Sequence, residues 1–284
     1  MLQIGKYRMF SVNEGFLRLD GGAMFGVVPK TLWGRKNASD DKNRIEIALN
    51  ILVLQSEEKT IIIDTGCGNK WNDKQRDIYQ ITSVENGLKG ALLEAGIKSE
   101  DVTDVIYTHL HFDHAGGGTE LKDDGSVGLT FENATYHVQK KQWEWALNPS
   151  EKDKASYFKD NLQPLVDSGK LNIIDGPIEL FEGVTMAITD SHTIGHQAVI
   201  ISDDENTVYH CGDIMPLAAH VKVPYVMAYD LIPLGTIKAK KDILENAAQK
   251  GWMVFFSHDL VNPMLTIEKT DRGFKGIPVE SFDH

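Results

Sequence analysis

Apolar residues recur along this 284-residue chain in short bursts rather than long runs. From Ile4 to Arg18 they suggest a β-hairpin turning at Asn13-Glu14-Gly15. Ile45, Ile47, Leu49, Ile51 and Val53 follow with the period of two that marks a strand. Lys59–Asp64 (KTIIID) is short, β-branched and apolar, as a strand buried on both faces should be. Thr82-x-x-Glu85 has the spacing of a capping box. The helix it would open carries Val84, Leu88, Ala91, Leu92 and Ala95 on one face and stops at Gly96. Further strands are predicted at Val102–Tyr107 and near 134–138, 184–189, 197–202, 207–211 and 252–256. Helices are predicted near 139–147, 153–166 and 237–250, the last closed by Gly251. At about 150 residues per domain the length alone would suggest two. Yet strands and helices interleave without a break in composition, so residues 1–284 read as one domain of sheets covered by helices.

Composition then removes whole classes. A hydrophobic share of 42% with 25% charged residues is that of a soluble globular protein. The formal net charge of −12 argues against coating nucleic acid or an anionic membrane. The longest apolar runs, Tyr225–Tyr229 and Trp252–Phe256, fall far short of the roughly 20 residues that span a bilayer. The opening MLQIGKYRMF lacks a secretory pattern, and two cysteines cannot form a disulfide framework. The expectation is a cytoplasmic enzyme acting on small molecules.

Chemistry is concentrated where predicted strands end. Directly after Val105-Ile106-Tyr107 stands Thr108-His109-Leu110-His111-Phe112-Asp113-His114, followed by Ala115 and three glycines. Such a density of imidazole and carboxylate is not tolerated in a core without a partner. In extended backbone His109 and His111 point to one side, and a turn at Asp113-His114 aims the next pair nearby. Two adjacent metal ions suit that layout. Other strands are followed by Asp64-Thr65-Gly66, His192-Thr193-Ile194-Gly195-His196, Gly212-Asp213 and Ser257-His258-Asp259. All can converge on one edge of the sheets, where α/β folds place their sites. The isolated His137, His210 and His284 read as surface or core residues, and Cys67 and Cys211 as packing.

In this order DTG, THLHFDHAGG, HTIGH, CGD and SHD resemble the metallo-β-lactamase superfamily. The resemblance implies a four-layer αββα sandwich, two mixed β-sheets flanked by helices. It implies His109, His111 and His196 on one metal, and Asp113, His114 and His258 on the second. Asp213 would bridge the two, and Asp64 would orient a ligand histidine. His192 is left without a metal role. Two zinc ions are the implied cofactor, with manganese, cobalt or ferrous iron as substitutes. Water shared by such a pair can attack a carbonyl or phosphoryl centre while Asp113 passes a proton to the leaving group.

Departures narrow the branch. Asp213 stands where well-known zinc β-lactamases carry a cysteine, and His111 where flavodiiron oxygen reductases carry an acid. The stretch after His258 is too short for the helical region of glyoxalase II-like thioesterases. What remains resembles the N-acyl-homoserine-lactone lactonase and methyl parathion hydrolase-like group, through Asp20–Pro29 and Gly212-Asp213-Ile214-Met215-Pro216. Several lactonases of that group carry a tyrosine where this chain has Pro216. Opening of a lactone or related ester is the leading expectation. The rivals are hydrolysis of organophosphates or phosphodiesters, single-iron chemistry of the persulfide-dioxygenase kind, and a metal-dependent sensor without turnover. Phe25, Trp33 and Trp71 are expected as apolar pocket walls, with His220 beside them. Relatives often dimerise, so a homodimer is compatible, although no interface signature stands out.

Overall fold

The computed structural model describes residues 1–279 and 282. The first half contributes β1 (Leu2–Ile4), β2 (Tyr7–Asp20), β3 (Arg44–Gln55), β4 (Thr60–Ile63), β5 (Thr82–Ser83) and β6 (Asp104–Ile106). A small hairpin, β7 (Thr119–Leu121) and β8 (Val127–Leu129), precedes β9 (Thr135–Gln139) and β10 (Leu171–Ile174). The second half gives β11 (Ile178–Phe181), β12 (Val184–Ile188), β13 (Gln197–Ser202), β14 (Thr207–His210), β15 (Met253–Phe255), β16 (Met264–Thr270) and β17 (Gly273–Pro278). One sheet runs β1-β2-β3-β4-β6-β9-β10 with β5 beside β2, and the other runs β11 to β17 in chain order. Both are mixed: β4, β6, β9 and β10 pair in parallel, as do β14 and β15, and the other pairings are antiparallel.

The period of two explains the layers. Leu52, Leu54, Ile61, Ile63 and Ile106 face one way and meet Val184, Val199, Ile201 and Phe255 of the second sheet. Their neighbours Ile51, Val53, Ile62 and Val105 face the other way and meet Leu88, Leu92, Leu162 and Leu165. Those last four lie on α1 (Gly87–Glu94) and α2 (Lys159–Asp167). Beyond the second sheet, Ile243, Leu244 and Ala247 of a long helix, Pro233–Lys250, cover Ala198, Val254 and Phe256. Helix, sheet, sheet and helix follow one another, the expected αββα sandwich. The three isoleucines of the KTIIID run are consecutive because both faces of this strand are interior.

Three local expectations are corrected. Asn13-Glu14-Gly15 is not a turn: β2 runs through it, with a register shift against β3 between Asn13 and Phe16. Gly15, at φ 150°, lets β5 approach; a Cβ there would stand 2.2 Å from the Thr82 carbonyl oxygen. The first hairpin instead turns between Ile4 and Tyr7. Thr82 is not a cap, because Thr82 and Ser83 pair with Phe16 and Gly15, and the helix starts only after Asn86. The helix predicted near 153–166 divides into a 3-10 turn at Lys154–Ser156 and α2. Among the described residues no helix is long and apolar enough to cross a membrane.

Candidate metal centre

Every polar group singled out by the strand-end pattern lies just past a strand: Asp64 after β4, residues 108–114 after β6, 189–196 after β12, 211–213 after β14 and 257–258 after β15. Their convergence starts from Asp64. It sits at φ 62°, and its amide donates to the Ile106 carbonyl, which binds the end of β4 to that of β6. Its carboxylate accepts from the Thr108 amide at 2.8 Å and from the Thr108 hydroxyl at 2.8 and 3.1 Å. Asp64 Oδ2 also lies 2.8 Å from His114 Nδ1, which therefore carries the proton. With its own proton given to Asp64, Thr108 Oγ1 accepts from His109 Nδ1 at 3.1 Å. One carboxylate thus fixes the tautomers of two histidines, freeing both Nε2 lone pairs.

The glycines after the motif serve close approach. Residues 65–67 pack against the 3-10 turn Gly116–Gly118, where a Cβ on Gly116 or Gly117 would fall within about 2.2 Å of the Cys67 or Thr65 carbonyl oxygen.

Asp113, His114 and His258 bring one ligand atom each within 4.8 Å of one another. His258 Nδ1 donates to the Ala48 carbonyl at 2.8 Å, so its Nε2 faces His114 Nε2, 3.0 Å away, with a lone pair. At this separation the two nitrogens share a hydrogen bond, and a metal ion held by both would take the place of its proton. Positive charge is favoured there: burial opposes it, but Asp213, Asp64 and Asp113 together push His114 well above the usual histidine range. Asp213 completes the centre. Its Oδ1 lies 3.2 Å from His114 Nε2 and 3.3 Å from His258 Nε2, and its Oδ2 lies 3.4 Å from His192 Nε2. Burial works against its charge, but His114 and His258 hold it well below the usual carboxylate range.

The other half of the centre corrects the sequence expectation. His109 and His111 gather with His192, not with His196. His192 Nδ1 lies 2.8 Å from Asp230 Oδ1, and its Nε2 reaches 3.1 Å from His111 Nδ1. His196 has both ring nitrogens engaged: Nδ1 at Thr189 Oγ1, 2.5 Å, and Nε2 accepting the Asp213 amide at 3.1 Å. It holds the Asp213 backbone, and both of its ring nitrogens are already occupied by protein groups. The backbone reverses between the two histidines at Gly195, φ 76°, so one aims into the cluster and the other beneath β13. Burial, then mutual repulsion, keeps His109 and His111 well below the usual histidine range, in the neutral form that ligates. His109 Nε2 is buried with no hydrogen-bond partner among the described residues, as a ligand nitrogen would be. The donor set fits divalent transition ions.

Three of the expected pocket walls are elsewhere. Phe25, Trp33 and His220 are buried and stack on one another, with centroids 5.2 Å apart on either side of Phe25. His220 Nε2 donates to the Met24 carbonyl at 2.9 Å. Trp33 does border a cleft of about 950 Å³, but that cleft contains no member of the metal cluster. Trp71 is close to the centre: it packs edge-on against Phe112, between His111 and Asp113, and against Tyr79 and Phe158. His137 pairs with Asp104 at 2.8 Å and His210 accepts the Gly212 amide at 3.3 Å, outside the cluster. His284 lies outside the described residues.

Comparison with known proteins agrees with this geometry. Residues 46–258 match the metallo-beta-lactamase superfamily. An N-acyl homoserine lactonase of Bacillus thuringiensis is 26% identical over 226 residues, covering 73% of this chain and 80% of the lactonase. A probable metal-dependent hydrolase from Staphylococcus aureus superposes with a TM-score of 0.89 at 29% identity, covering 99% of this chain and all of the other. A dizinc quorum-quenching lactonase solved with its product shares the fold, with a TM-score of 0.80 at 22% identity over 100% of this chain and 97% of its own. With the family matched across the strand-end loops and the histidine–aspartate cluster assembled from them, the chain belongs to the metallo-beta-lactamase superfamily, as a metallohydrolase.

Proposed function

We propose that this protein uses two divalent ions to open a lactone or a related carboxylic ester. The observation that carries the reading is Asp213, whose two oxygens are turned to two different groups of histidines. His109, His111 and His192 would hold one ion and Asp113, His114 and His258 the other, with Asp213 placed to serve both. Zinc is the best match to these ligands, with manganese, cobalt and ferrous iron compatible. When bound, the pair supplies Lewis acidity, acidifying water towards neutral pH and polarising the oxygen of the scissile bond.

The chain's own residues do the rest. Asp64 and Thr108 keep His114 and His109 in the ligating tautomer. Asp113, at 9% exposure the least buried member of the cluster, would take up the proton released by the attacking water and pass it to the leaving oxygen. The aromatic group of Trp71, Tyr79, Phe112 and Phe158 gives an apolar wall beside it. At the place of the tyrosine of some lactonases, the Pro216 carbonyl accepts the His258 amide, so this position supports a ligand rather than a substrate. The lactonase relative, similar over most of its length, favours a lactone over a phosphoester.

The test is a substrate panel with chelator-treated and zinc-restored protein: lactones of varied acyl length, aryl esters and phosphotriesters. Lactone turnover that vanishes on chelation, returns with zinc and slows in Asp113→Asn is the expected result. Turnover confined to phosphotriesters would reassign the substrate. Full activity after complete metal removal would overturn the mechanism, and a single bound iron with no hydrolysis would point to oxidation.

A further inference from the structure

We infer that Asp230 is the positioning residue of the His109–His111–His192 ion, the counterpart of Asp64 at the other; the inference rests on the two-ion reading. Asp230 is 2% exposed, and its Oδ1 takes the Nδ1 proton of His192 at 2.8 Å. Its Oδ2 has no hydrogen-bond partner among the described residues. A carboxylate buried this deeply is costly unless a partner compensates it, and His192 is the partner present. The bond decides which nitrogen of His192 is free: Nδ1 donates, so Nε2 turns its lone pair to His111 Nδ1 at 3.1 Å and Asp213 Oδ2 at 3.4 Å.

The surrounding backbone is built to keep that carboxylate in place. Leu231 and Ile232 donate their amides to the carbonyls of His192 and Ser191, each at 2.9 Å, which registers the two loops side by side. Lys152 Nζ binds the carbonyl of Tyr229 at 3.2 Å and that of Asp230 itself. Farther back, Lys240 is fully buried and caps the carbonyls of Lys222 and Val223, at 2.9 and 3.1 Å, and of Tyr225. Two lysines spend their charge on the main chain of one loop, and that loop delivers a single carboxylate to a single histidine. Asp230 lies 38 positions from His192 and belongs to none of the strand-end motifs.

The experiment is a zinc titration of chelator-treated protein against a competing chelator, on the wild type, Asp230→Asn and Asp64→Asn. The melting temperature of each metal-free protein serves as the check of folding. Asp230→Asn is expected to weaken the His109–His111–His192 ion about 10–100-fold and leave the other unchanged, while Asp64→Asn, which orients His114 directly and His109 through Thr108, weakens the other ion most and the first to a smaller degree. Cobalt titrations followed by visible absorption should assign the weakened step in Asp230→Asn and in His192→Ala to the same ion. Two ions bound by Asp230→Asn with wild-type affinity would overturn the inference and leave the two-ion reading intact. A wild type that binds fewer than two ions would overturn that reading itself, and the inference with it. Should Asp230→Asn not fold, Lys152→Gln replaces it: a smaller loss confined to the same ion supports the assignment, and unchanged affinity for both ions refutes it.

Discussion

The two halves of the candidate metal centre are assembled by different means. Asp113, His114 and His258 depend on a single compact stretch plus one histidine, with Asp64 pinned behind them by the end of β4. His109 and His111 come from that same stretch, but His192 comes from a loop after β12, and that loop depends in turn on Asp230 and on lysines far away in sequence. The first half is local and can be read from a motif. The second is set by tertiary contacts, and its ligand cannot be chosen from two histidines flanking one glycine without them. The same chemistry, a carboxylate that fixes an imidazole tautomer, therefore leaves a sequence signature on one side of the centre and none on the other.

The largest effect should come from the residue that joins the halves. Asp213→Ala is expected to lose both ions on dialysis and to reduce hydrolysis to the level of chelator-treated protein, as metal analysis and kinetics would report. Retention of two tightly held ions would mean that the halves share nothing. Next, His192→Ala should lower the metal content from two ions to one. His196→Ala should keep both ions but hold them roughly tenfold more weakly, because it loosens only the Asp213 amide. The reverse outcome would restore the sequence expectation for His196.

A smaller effect is expected from Thr108→Val. The Asp64–His114 bond survives this change, but the relay to His109 is cut, so the first ion should weaken by up to about tenfold and the second should not. Equal weakening of both would show that Thr108 acts through Asp64 as a whole.

The smallest effect is one of stability, behind the local half. Glu14 is buried in the bulge of β2 and accepts from the Cys67 amide at 3.2 Å and the Ser83 hydroxyl at 3.3 Å. Burial pushes its carboxyl from 4.5 up to about 7. Because the folded value is raised, the folded state holds the proton more tightly than the unfolded chain. The contribution of Glu14 to stability is then greatest below pH 4.5 and falls, by at most about 3 kcal/mol, as pH rises to 7. In Glu14→Gln that slope should flatten, so denaturant unfolding at pH 5 and pH 8 should show the variant gaining on the wild type at the higher pH. An offset that is the same at both would contradict the assignment.

Much of this was legible in advance, for identifiable reasons. Strands such as Lys59–Asp64 and 197–202 announce themselves because both faces are interior, and Gly251 closes its helix in the left-handed conformation, as a stop signal should. The ligand-bearing loops were found because each polar group directly follows an apolar strand. What failed was non-local. Asn13-Glu14-Gly15 looks like a turn until β5 pairs with it, and Thr82 looks like a cap until the same pairing consumes it. Phe25 and Trp33 are aromatic enough for a pocket wall, yet they pack into a core with Ile45, Ile47 and Leu217. His192 is set aside in the sequence because the family-like HTxGH turn directs the metal role to its second histidine, His196, and the Asp230 contact that orients His192 carries no motif.

Anomalous scattering from a crystal grown with zinc tests the central claim most directly. Two peaks are predicted, one enclosed by His109, His111 and His192, the other by Asp113, His114 and His258, with Asp213 between them. A single peak, or one coordinated by His196 in place of His192, would contradict the account.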